Sequence, residues 1–439
     1  MTMTRAIVVS GATHGLGVVR SLGRQGVPVT VVSYDRRDIA PSSRYVHEVI
    51  PAPHPDKDEA QFVKVLLETA HRCPGSLLIP ASDAALGTVA RHKTSLEDAG
   101  LIVASDGPEV TETLLNKATT FALARSAGVP SPATFAVSDE DDVRRFCASA
   151  EFPVLKPELS HIYRELVGVK WSRVESAEEA LRAYTVARSH SLEVMLQELI
   201  PGDEQCGAVY NSYFCDGEPL VEFTSRKIRN SPPDTGSPSV VVSEWMPEVA
   251  EQGRRLLGAA RFSGYSCTEF KQDPRDGQYK VMEVNARHNL SSLLATRCGV
   301  NFPWLQYQHL VEGVVPVQRD YEQGIYWVDI TRDLQHLRHY LRRPGYSLGE
   351  FLQPYRRPHV CAVLARDDLG PAVTRGVDTV RVAAGRLRSR FSRPTASPGL
   401  SPPLRLPLQR KPEDTPPALE GRPPLGSGRR AERTDHSPR

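Results

Sequence analysis

Two short stretches near residue 280 bring together the residue types that hard-cation chemistry needs. They are Thr268-Glu269-Phe-Lys271 and Val281-Met-Glu283-Val-Asn285-Ala-Arg287, separated by the turn-forming Asp273-Pro-Arg-Asp-Gly277. A strand sends every second side chain to the same face, so Glu283, Asn285 and Arg287 share a face, and a hairpin brings Glu269 beside them. Two carboxylates and an amide oxygen at one spot suit magnesium, with phosphate oxygens completing its shell. Without a cation, two glutamates on one face would repel. An arginine at the edge suits a clamp on a transferring phosphoryl group or an acyl phosphate.

Upstream lie further candidates, each bland when taken alone. Lys117 follows Asn116 on a helix, where an ordinary exposed charge is the competing explanation. Lys156 ends the apolar Phe152-Pro-Val-Leu-Lys156, and a lysine beside an apolar strand is costly unless an anion compensates it. Met195-Leu-Gln-Glu198-Leu-Ile-Pro-Gly-Asp-Glu204 is a strand running into a Pro-Gly turn, able to offer backbone groups to a base edge and carboxylates to ribose hydroxyls, or to be a solvated turn. The basic run Arg226-Lys-Ile-Arg229 places Arg226 or Arg229 for contact with a substrate carboxylate or phosphate. With Arg287, Arg226 and Lys271 complete the catalytic candidates.

The glycine turn Ser10-Gly-Ala-Thr-His-Gly-Leu-Gly17 lies between a strand and a helix, where backbone amides can approach an anion. Its spacing resembles the nucleotide turn of short-chain dehydrogenases, whose Tyr-x-x-x-Lys pair moves the proton. None of the 14 tyrosines has a lysine four residues on, so the turn is either purely structural or a hold on an acceptor substrate. Ser82-Asp83 stands at the carboxyl end of a strand, where open α/β sheets bind ligands, and equally suits a helix N-cap.

The elements that must position these residues follow from patterning. The first ~110 residues alternate strand and helix: strands at Ala6–Ser10, Val29–Ser33, Leu77–Pro80 and Leu101–Ala104, with helices at Gly17–Gln25, Asp58–His71 and near Ala84–Ala99. That alternation favours a parallel, doubly wound sheet. A helix over Val110–Ala127 and a strand near Thr134–Val137 come next, then a mixed α+β stretch with strands at Val194–Leu199, Cys206–Cys215, Cys267–Lys271 and Lys280–Val284. Beyond residue 391 the composition turns to Pro, Arg, Ser and Gly, which predicts disorder, with Val377–Arg393 either a basic amphipathic helix in peripheral contact with an anionic membrane surface or, as the favoured alternative, a solvated extension.

At 439 residues, with 40% hydrophobic and 24% charged residues and a formal net charge of +2, the composition implies two or three ordinary globular units and no nucleic-acid partner. The N-terminus lacks a signal-peptide pattern, no apolar run is long enough to span a bilayer, and seven scattered cysteines form neither a disulfide framework nor a zinc site. A cytoplasmic location is expected.

The order Lys117, Lys156, Glu198, Glu204, Glu269, Glu283, Asn285, Arg287 resembles the ATP-grasp superfamily, in particular carboxylate-amine ligases of the carbamoyl-phosphate-synthetase-like branch, which includes D-aspartate ligases. The likeness covers about residues 5–315. It implies a Rossmann-like α/β pre-ATP-grasp domain (1–109), an α+β ATP-grasp domain of two subdomains (110–318, lid about 152–195), a C-terminal appendix (319–375) and a basic, mostly disordered tail (376–439). It assigns Lys117 and Lys156 to ATP phosphates, Gln197, Glu198, Leu199 and Glu204 to adenine and ribose, Glu269, Glu283 and Asn285 to Mg2+ (with Mn2+ as a substitute), and Arg287 to the phosphoryl group. The implied reaction joins small-molecule carboxylate and amine substrates through an acyl phosphate. A non-catalytic nucleotide-binding module is the alternative, with an NAD(P)-dependent short-chain dehydrogenase-like oxidoreductase ranked behind it. The sequence departs from the family's glycine-rich lid: Pro157–Lys170 has one glycine, leaving Ser160, His161 or Arg164 to do that work.

Overall fold

Runs of β-branched residues between glycine turns build the first sheet, as a parallel sheet buried on both faces requires. In the computed structural model, which describes residues 3–149, 153–157, 172–174, 176–234 and 236–391, it contains β1 (Ala6–Val9), β2 (Val29–Ser33), β3 (Val46–Pro51), β4 (Leu77–Pro80) and β5 (Ile102–Val103). Their order is β3-β2-β1-β4-β5 and all pairs are parallel. β3 is absent from the sequence expectation, because an edge strand with alternating exposure, Val46-His-Glu-Val-Ile-Pro51, lacks the apolar run that marks its neighbours.

Two expected helices are each two. The first breaks at His92 into Asp83–Arg91 and Lys93–Asp98. The second breaks at Asn116, whose backbone is extended and whose side-chain oxygen accepts from the amides of Ala118 and Thr119, an N-cap that starts the helix Lys117–Ser126. The break thus puts Lys117 at the first position of a helix rather than in the middle of one.

β6 (Thr134–Ala136), β7 (Pro153–Pro157), β8 (Ser172–Arg173) and β9 (Val194–Glu198) form an antiparallel sheet in the order β6-β9-β7-β8. A seven-stranded sheet follows, from β10 (Gly207–Cys215), β11 (Glu218–Ser231), β12 (Ser237–Ser243), β13 (Gly264–Gln272), β14 (Tyr279–Asn285), β15 (Tyr326–Val328) and β16 (His359–Cys361). Its order is β14-β13-β10-β11-β12-β15-β16. The residues expected as a C-terminal appendix therefore supply its last two strands. One apolar cluster, including Val8, Leu16, Val209, Phe223 and Trp327, joins the first sheet to this one.

Met1–Ala384 form one compact unit and Gly385–Arg439 a second. The helix Gly370–Phe391 runs past residue 376, where the tail is expected to begin; its Ala, Leu and Arg residues favour the helix, and the first proline after it is Pro394. The tail beyond 391 and the lid residues Ser160, His161, Arg164 and Lys170 lie outside the described residues. Among the described residues no helix is long and apolar enough to cross a membrane.

Candidate active site

The hairpin β13–β14 is regular from Cys267↔Asn285 through Glu269↔Glu283, then slips by one residue and resumes at Phe270↔Val281 and Lys271↔Lys280. Met282 is the extra residue. Because side chains alternate with a period of two, the bulge changes which face each residue takes. Tyr279 and Val281 before it and Val284 after it all pack with Phe270 in one apolar cluster. Glu269, Lys271 and Glu283 line a cavity of about 240 Å³ instead. Unbroken alternation would have placed Glu283 on the same face as Val281, in the core.

Each glutamate carries a lysine. Lys117 Nζ donates to Glu283 Oε1 at 3.0 Å, and Lys227 Nζ to Glu269 Oε2 at 2.5 Å. The expected repulsion is thus neutralised by ammonium groups, both of which line the cavity. Burial opposes the Lys117 charge, but Glu283 outweighs it and holds the ammonium above its ordinary pKa. Lys227 stands between Arg226 and Arg229, the two members of the basic run expected to meet a ligand. Its stem lies against Gly207: a Cβ there would meet Lys227 Cδ at 2.8 Å. Only glycine lets the lysine reach across β10 to Glu269.

The other basic residues of that run go elsewhere. The ladder between β11 and β12 shifts register between Lys227 and Arg229. Arg229 is buried, with its guanidinium on Asp333 at 2.9 and 2.8 Å, so it faces a carboxylate of this chain and not a substrate. Arg226 makes a bidentate pair with Glu244 at 2.8 and 2.6 Å and is not among the residues lining the cavity.

Glu198, Leu199, Ile200 and Glu204 also line the cavity and form a second stretch of its wall. Glu198 Oε1 accepts from Arg275 at 2.5 Å. Lys271 Nζ donates to the carbonyls of Ile200 and Gly202, each at 2.8 Å, so it braces this wall, and burial lowers its pKa. Gln197 points away into the interior, fully buried, with Nε2 on Thr134 Oγ1 at 3.1 Å. Glu204 is a buried carboxylate at the cavity edge. Lys156 belongs to β7, paired with Met195 of β9, but its side chain lies outside the described residues.

Asn285 and Arg287 stand just beyond the cavity lining. Arg287 Nη2 donates to Asn285 Oδ1 at 2.9 Å, while Nε and Nη2 hold Asp83 at 2.7 and 2.8 Å. Burial alone would raise the Asp83 carboxyl, but the Arg287 guanidinium pulls it down to about 2. Ser82 caps the helix at Ala85 N, leaving Asp83 as the link between the first sheet and the hairpin.

The glycine turn has its own occupants. Gly11 N donates to Asp38 Oδ2 at 2.9 Å, so an acidic side chain sits where an anion would need that amide. A Cβ on Gly15 would meet the Ser10 carbonyl oxygen at 1.9 Å, and one on Gly17 would meet Ser292 Oγ at 2.5 Å. Close packing explains these two glycines, and the dehydrogenase reading loses its donor.

Among the described residues no three or more His, Cys, Asp or Glu side chains converge as a metal site. The hairpin offers two carboxylates and leaves the remaining coordination to other ligands, which is how magnesium is held when a bound nucleotide brings its own phosphates. The donor set fits that ion.

No protein-family model matches the chain. It is 27% identical over 295 residues to a D-aspartate ligase of Enterococcus faecium, covering 61% of this chain and 68% of that one. An L-amino acid ligase of Bacillus licheniformis superposes with a TM-score of 0.57 at 17% identity, covering 71% of this chain and 75% of the other. The biotin carboxylase domain of Hydrogenobacter thermophilus 2-oxoglutarate carboxylase, solved with MgADP and bicarbonate, superposes at 0.57 with 15% identity, covering 74% of each chain. At those identities the two structures speak for the fold alone.

Proposed function

We infer that this chain, a member of the ATP-grasp superfamily in its carboxylate-amine ligase branch, is an ATP-dependent ligase that joins a carboxylate to an amine. One observation carries the site: Glu269 and Glu283 face each other across a bulged hairpin, each under a lysine, in a single cavity. When bound, MgATP supplies the phosphoryl group that converts the substrate carboxylate to an acyl phosphate, from which an amine displaces phosphate.

The chain's own residues then have separable tasks. Lys117 and Lys227 are point charges that can leave their glutamates for phosphate oxygens, with Lys156 proposed as a third. Glu269, Glu283 and Asn285 would hold magnesium, with manganese as a substitute. Leu199 and its neighbours present backbone to adenine, and Glu204 accepts from ribose. Arg287 is fixed by Asp83 at the edge of the hairpin, where it would neutralise charge on the transferring group, a task of alignment and electrostatics. No nucleophilic side chain is needed. Lys271 and Arg226 serve the wall and the sheet. The domain layout proposed is a pre-ATP-grasp unit to about residue 109 followed by an ATP-grasp unit to about 318. The name of the D-aspartate ligase relative makes an amino acid the substrate class we favour, and a ligase that consumes ATP belongs in the cytoplasm.

Calorimetric titration of ATP with magnesium, on wild type and Glu283→Ala, tests this. Magnesium-dependent binding that is lost in the variant, followed by ADP release on screening amino acids and carboxylates, is the expected result. Absence of ATP binding, or binding of NADPH in its place, would overturn it.

A further inference from the structure

The helix Gly370–Phe391 turns its apolar stripe away from the protein. On a surface helix that stripe ordinarily faces the core. Here Pro371 is buried and Ala372 packs against the cluster that joins the two sheets, but the next group on the inner side is Arg375. It donates to Thr13 Oγ1 at 2.7 Å and stands 3.7 Å from Asp329 Oδ2. Leu369, at the turn before the helix, and Val373, Val377 and Val380 are 44–68% exposed. At 3.6 residues per turn the three valines fall within about 60° of arc. Apolar residues scattered singly over a surface are ordinary, whereas a stripe in register with its helix is not. The start of the helix is fixed, because a Cβ on Gly370 would meet the Ser42 carbonyl oxygen at 2.0 Å and Asp368 is held in a buried ion pair by Arg20 at 2.9 Å. The valines are therefore held outward. In the sequence the same spacing runs on through Ala384, Leu387 and Phe391, and Arg381, Arg386, Arg388, Arg390 and Arg393 follow Asp378 with no acidic residue before Glu413.

We propose that this face docks on an anionic lipid surface, with the valine stripe entering the boundary between headgroups and acyl chains and the arginines meeting lipid phosphates. An apolar face and a run of cations beside it are two signals that together hold a helix at a membrane surface, where either alone binds weakly. Charge selects this occupant over the others. Pairing the stripe with that of a second copy would bring two arginine-rich segments together with no acidic residue to offset them. Nucleic acid would engage the arginines and leave the valines in water. Among the described residues no helix is long and apolar enough to cross a membrane, so the contact is one of lying on the surface. Leu369, Val373, Val377 and Val380 do not line the cavity, so docking and the ligase site can be tested apart.

Sedimentation of the full chain with vesicles of phosphatidylcholine, alone or mixed with phosphatidylglycerol, tests this. Binding to the mixed vesicles and not to the neutral ones is expected, weakening as salt screens the arginines. Val377→Ser combined with Val380→Ser should lower the affinity by roughly tenfold or more, the effect of removing two apolar side chains from an interface. Arg386→Gln, Arg388→Gln and Arg390→Gln together should lower it by a similar factor. Both valines are exposed, so their double variant should keep the wild-type melting temperature and magnesium-dependent ATP binding. Absence of vesicle binding, or equal binding to neutral vesicles, overturns the proposal. So does binding that the valine variant leaves intact, which would reduce the contact to a general attraction between arginines and anions. A chain that ignores vesicles and instead forms a dimer in ultracentrifugation, abolished by the same valine variant, would make a second copy the occupant and overturn it as well.

Discussion

Arg20 with Asp368 and Arg229 with Asp333 are shut away from solvent, their side chains 0–1% exposed, whereas Lys117 with Glu283 and Lys227 with Glu269 are 11–41% exposed around a cavity. The sealed pairs use arginine, whose planar fork meets several fixed acceptors at once: Arg20 reaches Asp368 and the carbonyls of Val363 and Asp368. The cavity pairs use lysine, a point charge on a flexible stem that can change partners. The sealed pairs tie the C-terminal strands to the rest of the fold. The open ones hold charge in readiness for a ligand.

Replacing Asp333 by alanine should break this contrast most sharply. It strands a buried guanidinium, and stability measured by urea denaturation should fall by about 3–5 kcal/mol. A loss below about 1 kcal/mol would mean that the pair is not sealed. Glu283→Ala should do the reverse: ATP turnover should drop by on the order of 10²–10³-fold, the scale of removing one charge-stabilising group from an active site, with the melting temperature nearly unchanged. Equal losses of stability and turnover would erase the distinction.

Lys227→Ala is expected to weaken ATP binding by about tenfold, the worth of one charge-assisted contact, without affecting folding. Arg226→Ala, by comparison, should leave ATP affinity within about twofold, since a half-exposed ion pair contributes little. The smallest effect lies between the two classes, at Asp83–Arg287. The Asp83 carboxyl sits near 2 in the folded chain against an ordinary 3.8, so its contribution to stability is complete above about pH 4 and is lost as pH falls through about 2. The melting-temperature difference between wild type and Asp83→Asn should therefore shrink over that window. A difference that stays constant would show that the carboxyl is not held down by Arg287.

The regions differ as much in how far they could be read beforehand. β1 and β4 are continuous apolar runs, β2 is a β-branched run of Val and Thr, and the β13–β14 hairpin announces itself by its turn and its acidic residues. Lys227 was hidden because three basic residues within four positions look alike until the register shift and Gly207 separate their paths. Asp83 and Arg287 are 204 residues apart, and Tyr340, which bonds to Glu204, lies 136 residues from it. No periodicity records such distances, because they are set by how sheets stack and not by any local pattern. Asn116 could have been read as a cap, since Asn is a favoured N-cap, but the surrounding helical residues masked the break.

The unpaired Met282 bears on how this hairpin can vary among related chains. Removing that one residue would restore a regular ladder in which Lys280, Glu283 and Asn285 keep their side of the strand and Val281 and Val284 keep theirs. A relative with one residue fewer here could therefore present the same carboxylates, and an alignment of the two would have its gap at 282. Substituting within an unshortened strand offers no such freedom, because the length and the facing of its acids are coupled.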